Sequence, residues 1–402
     1  MNRRHFLQNT ALATAGTMLI PAFLKSYELQ AAPGLSERVL VVVQLSGGND
    51  GLNTVVPFRA DPYYQLRPSI AIAKEKLISL TDELGFNPAL TGFKSLWDDG
   101  LLNIVNSVGY PNPDRSHFRS MDIWHTASDS DKYLYSGWLG RYLDAQCSGT
   151  AACTPYDAIE VDDSLGLAMK GVRSKGLALT NPQQYYQATQ NAFAESLSRH
   201  IPGHDENEQV SYLYRTLAET VSSAGYIYDK SKIYKTTAQY PYTDLGKQLK
   251  TVAELIISGL KTNVYYVSIS GFDTHIRQNA QQDKLLEDTA KALKVFTDDL
   301  KANHKLDDVL VMAFSEFGRR VKQNASNGTD HGTANNLFLI GSKLAKPGFI
   351  NPAPDLSDLQ DGDLKFKTDF RQIYAALLRD WLGANDKEIL GHQFDALKLV
   401  KA

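Results

Sequence analysis

Six acidic and imidazole side chains stand in short loops at the ends of predicted strands, where an α/β protein usually builds its site. Carboxylate oxygens and imidazole nitrogens together suit zinc, manganese or a similar divalent cation. Two such cations can clamp the attacking and leaving oxygens of a phosphate or sulfate ester. Any one of these side chains alone could equally be a cap, a turn residue or a surface ion-pair partner. The six are Asp50, Asp273, His275, Glu316, Asp330 and His331.

Hydrolysis through a covalent intermediate would also need a nucleophile near the cation. Ser116 is the candidate, because it begins a predicted helix that runs through Trp124. The N–H groups and dipole at a helix N-terminus stabilise an anionic ester. The alternative for Ser116 is an ordinary helix N-cap. Arg115, His117 and Arg119 could hold anionic oxygens beside it, or could be helix-surface residues.

The stretch Val39–Pro57 organises the elements that must position these residues. Val39–Val43 is an unbroken β-branched and apolar run, which is typical of a strand buried on both faces of a parallel sheet. The glycines of Ser46–Gly51 then let the chain turn tightly, with Asp50 at the tip. The same pattern of a strand followed by an acidic or histidine-bearing loop recurs further along the chain.

Strand-like and helix-like segments alternate from about Leu35 onward. This alternation predicts one parallel or mostly parallel sheet covered by helices on both faces. The segment from about Asn181 to Tyr242 is rich in Gln, Tyr and Ser, and we interpret it as a mainly helical insertion that covers the sheet. The other predicted strands include Leu101–Val105, Asp157–Val161, Gly176–Leu179, Val264–Ile269, Asp308–Phe314 and Asn336–Ile340. The predicted helices include Pro88–Asp98, Ser136–Asp144, Asp244–Leu260, Gln281–Asn303 and Asp369–Trp381.

Composition limits the classes of function. The chain has 402 residues, of which 43% are hydrophobic and 22% charged, as in an ordinary soluble globular protein. This length fits two average domains or one large α/β domain with insertions. The formal net charge of −3 and the lack of a Lys/Arg cluster argue against nucleic-acid binding.

The N-terminus has the pattern of a targeting segment. Arg3 and Arg4 precede the apolar run Ala11–Leu24, which is typical of a twin-arginine export signal. This run is too short and too rich in small residues for a comfortable membrane span, and no later stretch is long and apolar enough for one. We therefore predict a signal segment over residues 1–34, a partner in the twin-arginine export machinery, and a periplasmic or secreted mature chain without a membrane span.

The chain contains two cysteines, Cys147 and Cys153, in a loop rich in small residues. In an oxidising compartment they could form a disulfide, and a metal pair is the weaker alternative. Cys153-Thr154-Pro155 also resembles the start of the formylglycine signature of sulfatases, but it lacks the arginine of that signature.

Several motifs occur together in one order: LSGGNDGLNTVVP, RSHFRSMDIWHT, SGWLGRYLD, GFDTH, SEFGR, TDHGTAN and TDFRQIYAALL. With the twin-arginine start, this order resembles the exported bacterial domain-of-unknown-function family 1501, from about Arg3 to Trp381. That family is placed in the alkaline-phosphatase and sulfatase-like superfamily. The resemblance implies a three-layer α/β/α sandwich with a mostly parallel central sheet and a two-metal site at the strand ends, formed by a single domain over residues 35–402.

The resemblance also implies roles for individual residues. Asp50 resembles the first-strand metal aspartate of the superfamily, and Ser116 resembles its nucleophile at a helix start. Asp273 and His275 resemble a metal-binding Asp/His pair, although one residue separates them where three are usual.

Two further positions depart from the pattern or leave it open. Glu316 falls where an Asp-His dipeptide is common in active relatives. Asp330 and His331 resemble either that dipeptide or the late histidine of the first metal.

Two functions of different classes follow from these observations. The first is an exported metal-dependent hydrolase of phosphate or sulfate esters, with zinc, manganese or calcium as its cation and an anionic ester as its substrate. The second is a catalytically degenerate binding or assembly protein of the cell envelope, which keeps the fold and one metal and binds an envelope polymer. The missing Asp-His dipeptide favours the second, and the intact GGND, FDTH and TDHG loops favour the first.

Overall fold

The strand β1, Val39–Leu45, lies at the centre of the protein and is buried along its whole length. The computed structural model describes residues 38–147, 154–190 and 208–401. In β1 successive side chains point to opposite faces of the sheet. Val41 and Val43 pack in one apolar cluster, whereas Leu40 and Val42 pack in another on the opposite face. The β-branched run therefore belongs to a strand that is covered on both sides, as the sequence predicts.

Nine strands of the described residues form the main sheet, and their order is β11-β5-β10-β9-β1-β8-β6-β7, with β14 also paired to β5. All pairings are parallel except those of β10, which runs antiparallel to β5 and β9. The strands are β1, β2 (Val55–Val56), β3 (Ile78–Ser79), β4 (Gly85–Phe86), β5 (Leu102–Gly109), β6 (Ala158–Glu160), β7 (Leu177–Ala178), β8 (Val264–Ile269), β9 (Val309–Phe314), β10 (Asn335–Ile340), β11 (Gly348–Phe349), β12 (Leu359–Gln360), β13 (Asp363–Leu364) and β14 (Thr368–Asp369).

Helices cover both faces of this sheet. The α-helices of the described residues are α1 (Asp61–Leu66), α2 (Thr91–Asp98), α3 (His117–Thr126), α4 (Trp138–Gln146), α5 (Pro182–Thr189), α6 (Glu208–Ser231), α7 (Asp244–Ile257), α8 (Gln278–Ala302), α9 (Phe370–Ala376) and α10 (Asp386–Leu390). Side chains of α2, α7 and α8 pack in the cluster that contains Val41. Side chains of α3, α4 and α9 pack in the cluster that contains Leu40.

The predicted fold class is confirmed, because a mostly parallel sheet lies between two helical layers. β10 is the exception, and its reversed direction has a consequence for the site. An antiparallel strand begins at the edge where its parallel neighbours end, so the loop before β10 joins the loops after β1, β8 and β9. His331 lies in that loop, four residues before Asn335 begins β10.

Several predictions fall wholly or partly outside the described residues. The targeting segment 1–34 and Cys153 lie outside them, whereas Cys147 follows the end of α4. Within the predicted insertion 181–242, α5 and α6 are helical, and residues 191–207 lie outside the description. Among the described helices we find none with the length and apolar character that a bilayer crossing requires.

Candidate metal centre

Three loops approach one another closely at the carboxyl edge of the sheet, because β1 pairs with both β8 and β9. Gly47, in the loop after β1, has φ +117°, and a Cβ there would lie 2.4 Å from the backbone nitrogen of Asp273. Only glycine allows both this backbone conformation and this approach. The glycine therefore brings the loop after β1 against the loop after β8.

Side chains from three elements meet at this edge. His117 from α3, Asp273 from the loop after β8 and His331 from the loop before β10 each offer one ligand atom, and these atoms lie within 4.8 Å of one another. Asp273 Oδ1 lies 3.4 Å from His117 Nε2 and 3.2 Å from His331 Nε2. His275 Nε2 lies 3.0 Å from both Asp273 Oδ1 and His331 Nε2. We call these four residues the histidine cluster.

Each imidazole of the histidine cluster has its other nitrogen, Nδ1, beside an acceptor. The acceptors are Glu316 Oε1 at 2.8 Å for His117, the Arg115 carbonyl oxygen at 2.8 Å for His331, and Asp330 Oδ1 at 3.4 Å for His275. A carbonyl oxygen only accepts, so the proton of neutral His331 lies on Nδ1 and its Nε2 carries a lone pair. This pairing of Nδ1 with an oxygen is how proteins orient histidines that bind metals.

One nitrogen of the cluster has no hydrogen-bond partner, and two others face each other. His117 Nε2 is buried and has no hydrogen-bond partner. The Nε2 atoms of His275 and His331 face each other at 3.0 Å, and two lone pairs at that distance repel unless a proton or a cation lies between them. In a tetrahedral zinc site with bonds of 2.0–2.1 Å, neighbouring ligand atoms are about 3.3 Å apart. The three contacts to Asp273 Oδ1 and the contact between His275 and His331, at 3.0–3.4 Å, are close to that spacing, and the ligand atoms of His117, Asp273 and His331 all lie within 4.8 Å of one another.

Asp273 keeps its negative charge in this environment. Partial burial alone would raise the pKa of its carboxyl group, but the hydrogen bond from Arg319 and the charge of Arg319 hold that pKa well below its ordinary value. Arg319 is fully buried, and its Nη2 lies 2.7 Å from Asp273 Oδ1. The Asp273 side chain is nevertheless 48% exposed, so solutes can approach it from solvent.

Burial and hydrogen bonding act differently on the histidines. Burial lowers the pKa of His331, which keeps this ring neutral and able to bind a cation near neutral pH. The hydrogen bond to Glu316 raises the pKa of His117. Phe317 packs against both rings, with centroid separations of 4.9 Å to His117 and 4.8 Å to His331.

The family model described as "Protein of unknown function (DUF1501)" matches residues 106–390, which is more than half of the chain. The chain belongs to this DUF1501 family. The resemblance inferred from the motifs is thereby confirmed. No curated protein matches the chain.

Solved structures similar to this DUF1501 chain share little sequence with it. An alkaline phosphatase superfamily protein from Vibrio parahaemolyticus is 10% identical, with 90% of this chain and 75% of that chain covered and a TM-score of 0.42. The C-terminal periplasmic domain of EcEptC from Escherichia coli in a complex with Zn is 10% identical, with 78% and 77% covered and a TM-score of 0.39. The PsFucS1 sulfatase from Pseudoalteromonas sp. is 11% identical, with 95% and 74% covered and a TM-score of 0.40.

Asp50 lies in a separate, closed network of the DUF1501 chain. Its carboxylate is 1% exposed and forms an ion pair with Arg67, whose Nη1 lies 2.6 Å from Asp50 Oδ2. Gln278 Nε2 donates to the same oxygen at 2.6 Å, and the Leu52 N–H donates to Oδ1 at 3.2 Å. The histidine cluster does not include Asp50, a predicted ligand that the structure places in this other network.

Glu316 and Asp330 each contact the Nδ1 atom of one histidine of the cluster. Glu316 is fully buried, and its Oε1 accepts hydrogen bonds from His117 Nδ1 and from the Gly47 N–H, both at 2.8 Å. Asp330 contacts His275 Nδ1 on the solvent side. In this arrangement each carboxylate contacts an imidazole Nδ1, and the direct ligation that the sequence suggested stays a prediction.

The residues around Ser116 occupy three different environments. Ser116 is exposed at the N-cap position of α3, and its side chain makes no capping hydrogen bond. Arg115 forms an ion pair with the buried Asp363. Arg119 is buried and donates to the carbonyl groups of residues 129, 130 and 132, so it holds a loop rather than an anion.

Sequence reasoning missed Arg67 and Arg319, two buried arginines that pair with Asp50 and Asp273, and the ring of Phe317. The SEFGR motif contains Phe317 and Arg319, so its place in the ordered set of motifs was a signal for them. Arg67 lies in an unremarkable loop after α1, and its partner Asp50 is 17 residues away. No local pattern marks that pair.

Proposed function

We propose that this chain is an exported metal-dependent hydrolase of phosphate or sulfate esters. One observation carries the proposal: imidazole nitrogens from three elements converge on Asp273 Oδ1, and each imidazole has its Nδ1 beside an oxygen. Three imidazoles held around one carboxylate oxygen leave Nε2 atoms directed at a common point. Such an arrangement is expected where a cation is bound.

His117, Asp273 and His331 would hold the cation, with His275 as a further ligand. A bound divalent cation would polarise the ester and neutralise negative charge that develops on its oxygens. Imidazole donors suit zinc, and to a lesser degree manganese, better than calcium, which prefers a shell of oxygen ligands. Zinc is therefore the first metal to test.

Ser116 is the proposed nucleophile. Its two sequence neighbours both contact the histidine cluster, since the Arg115 carbonyl accepts from His331 and His117 belongs to the cluster. Its hydroxyl is free of the capping bond that an N-cap serine usually makes. The N–H groups of the first turn of α3 consequently lack a side-chain partner and can bind an ester oxygen.

Arg115 and His117 would support the anion in different ways. The Arg115 side chain is 44% exposed, so part of its guanidinium group can meet a substrate while Asp363 holds the other part. His117 is the proposed link between the helix and the cation, because Glu316 orients it.

We further propose that residues 1–34 direct export by the twin-arginine machinery, and that residues 35–402 form a single domain that works in the periplasm or outside the cell. The twin arginines at Arg3 and Arg4 and the short apolar run after them support this. The substrate would then be an anionic ester or an envelope polymer that carries one.

An exported binding or assembly protein of the envelope is the second candidate function. It is favoured by the pairing of Asp50 with Arg67 and of Arg115 with Asp363, which leaves fewer charged groups for catalysis. Such a protein would keep one metal and bind an envelope polymer without turnover.

A substrate panel with a matched variant tests the choice. Zinc-loaded protein is assayed on aryl phosphate monoesters, phosphate diesters and sulfate esters, alongside Ser116→Ala and the control Ser95→Ala, which alters an exposed serine on α2. The hydrolase predicts turnover that falls at least about 100-fold in Ser116→Ala and is unchanged in Ser95→Ala. Stoichiometric zinc with no turnover of any ester would favour the binding protein.

A further inference from the structure

The buried pair of Asp50 and Arg67 leaves no place for the second cation that the family resemblance implies. Asp50 has three donors on its two oxygens: the Arg67 guanidinium, the Gln278 amide and the Leu52 N–H. A carboxylate that is buried and already neutralised gains little from a further cation. Asp50 therefore does not fit the role of a metal ligand.

Arg67 is held in place independently of Asp50. Its Nε donates to the Val321 carbonyl at 2.8 Å, its Nη2 to the Arg320 carbonyl at 2.8 Å, and its Nη1 also to Asn53 Oδ1 at 2.9 Å. The side chain is fully buried. A cation that displaced it would leave the Val321 and Arg320 carbonyl oxygens without this donor, which is costly in the interior.

The polar side chains behind this pair are also bonded to one another. Gln278 donates to Asp50 and accepts from the Thr329 hydroxyl at 2.7 Å. The hydroxyl of the buried Tyr63 donates to Asn53 Oδ1 at 2.9 Å, and Arg67 lies over the Tyr63 ring. The network is thus closed around a guanidinium group, in contrast to the histidine cluster.

We propose that this chain binds one exchangeable divalent cation, at the histidine cluster, and that the Arg67 guanidinium is the permanent counter-ion of Asp50. The inference deepens the proposed function, on which it rests, by setting the number of cations at its site. The positive charge near the loop after β1 is then part of the protein and cannot be removed by a chelator.

Metal counting on the full mature chain tests this. The protein is stripped with a chelator, reloaded with zinc, passed through gel filtration and analysed for retained zinc per chain. We expect one zinc in the wild type, one in Asp50→Asn, and none in His331→Ala. The double variant Asp50→Asn with Arg67→Met, which removes both buried charges, is the alternative where Asp50→Asn alone folds poorly, and it should also retain one.

The outcomes separate this inference from the proposed function. Two retained zinc ions per wild-type chain would overturn the inference and leave the metal-dependent hydrolase standing. One zinc that is lost in the Asp50 variants and kept in His331→Ala would also overturn it. No retained zinc in the wild type would contradict the proposed function itself.

Discussion

Two aspartates follow neighbouring parallel strands of one sheet, and the rest of the chain surrounds them differently. Asp50, after β1, is 1% exposed and paired with a buried arginine. Asp273, after β8, also meets a buried arginine, Arg319, but its side chain is 48% exposed. Imidazole nitrogens surround Asp273, whereas amide and backbone donors surround Asp50.

This difference shows that a position at a strand end does not by itself make a metal ligand. An acidic side chain can meet a cation there, but a guanidinium group from another loop can take that role permanently. The side-chain atoms around each carboxylate distinguish the two cases. Hydrogen-bond donors satisfy the charge of a carboxylate, whereas neighbouring acceptor atoms leave a negative site that a cation can neutralise. The first three predictions below test this distinction and the fourth tests the burial of His125 against β1, from the largest expected effect to the smallest.

Removal of the guanidinium group that pairs with Asp50 should have the largest effect. Arg67→Met leaves Asp50 buried without a counter-charge, and we expect the free energy of unfolding to fall by about 3–5 kcal/mol. Denaturation in urea, followed by circular dichroism, measures the change. The double variant with Asp50→Asn should recover most of the loss, because no charge then stays unpaired.

Arg59→Met is the matched control, since Arg59 is exposed and donates only to a loop carbonyl. It should change the free energy of unfolding by no more than about 0.5 kcal/mol. A loss in Arg67→Met as small as that of the control would mean that Asp50 is neutralised in another way, and the contrast between the two aspartates would fail.

At Asp273, by contrast, a bound metal ion should raise the stability of the folded chain. A free zinc concentration of about 100 times the dissociation constant should stabilise the metal-free wild type by about 2.7 kcal/mol, because zinc binds the folded state. The gain should disappear in His331→Ala. It should persist in His392→Ala, which removes an exposed histidine outside the cluster. A gain that survives in His331→Ala would place the zinc elsewhere.

Glu316→Gln distinguishes a residue that orients a ligand from a ligand. Since Glu316 contacts His117 Nδ1, we expect zinc affinity to fall about 10- to 100-fold without a change in the number of ions bound. Isothermal titration calorimetry gives both quantities. Complete loss of zinc in Glu316→Gln, with binding intact in the exposed control Glu83→Gln, would make Glu316 a direct ligand.

Much of the sheet could be predicted from the sequence because its central strands are continuous apolar runs. The predicted bounds of Val264–Ile269 agree with β8, and the predicted strand Asp308–Phe314 differs from β9 by one residue. Burial on both faces makes such runs recognisable. The start of α8 was less accurate, at Gln281 in place of Gln278, because its N-cap residue Arg277 forms no side-chain cap.

The site was predicted only as a set of residue types in loops. Three of those loops do converge at the histidine cluster, because the parallel strands β8 and β9 end at the edge where the antiparallel β10 begins. The separation of Asp50 from that cluster could not be predicted, because it depends on Arg67, which lies in a loop without a recognisable pattern. The position of Glu316 behind His117 depends in the same way on a contact between residues 199 positions apart.

The protonation of His125 reports whether water reaches the interior beside β1, and its expected effect on stability is the smallest of the four. Its Nε2 lies 3.0 Å from Gln44 Oε1 on β1, and burial lowers its pKa to about 4. The unfolded chain, with a histidine pKa near 6.5, then binds more protons than the folded chain between about pH 6.5 and pH 4. The contribution of His125 to stability is therefore present above about pH 6.5 and is lost as the pH falls towards 4, by about 1.4 kcal/mol at pH 5.5.

Urea denaturation at pH 7.5 and 5.5 should show that loss in the wild type and in the exposed control His392→Gln, and a smaller one in His125→Gln. Equal losses in all three would mean that water reaches His125 and that the face of the sheet that carries Gln44 and Tyr266 is more open than the hydrogen bonds of His125 indicate.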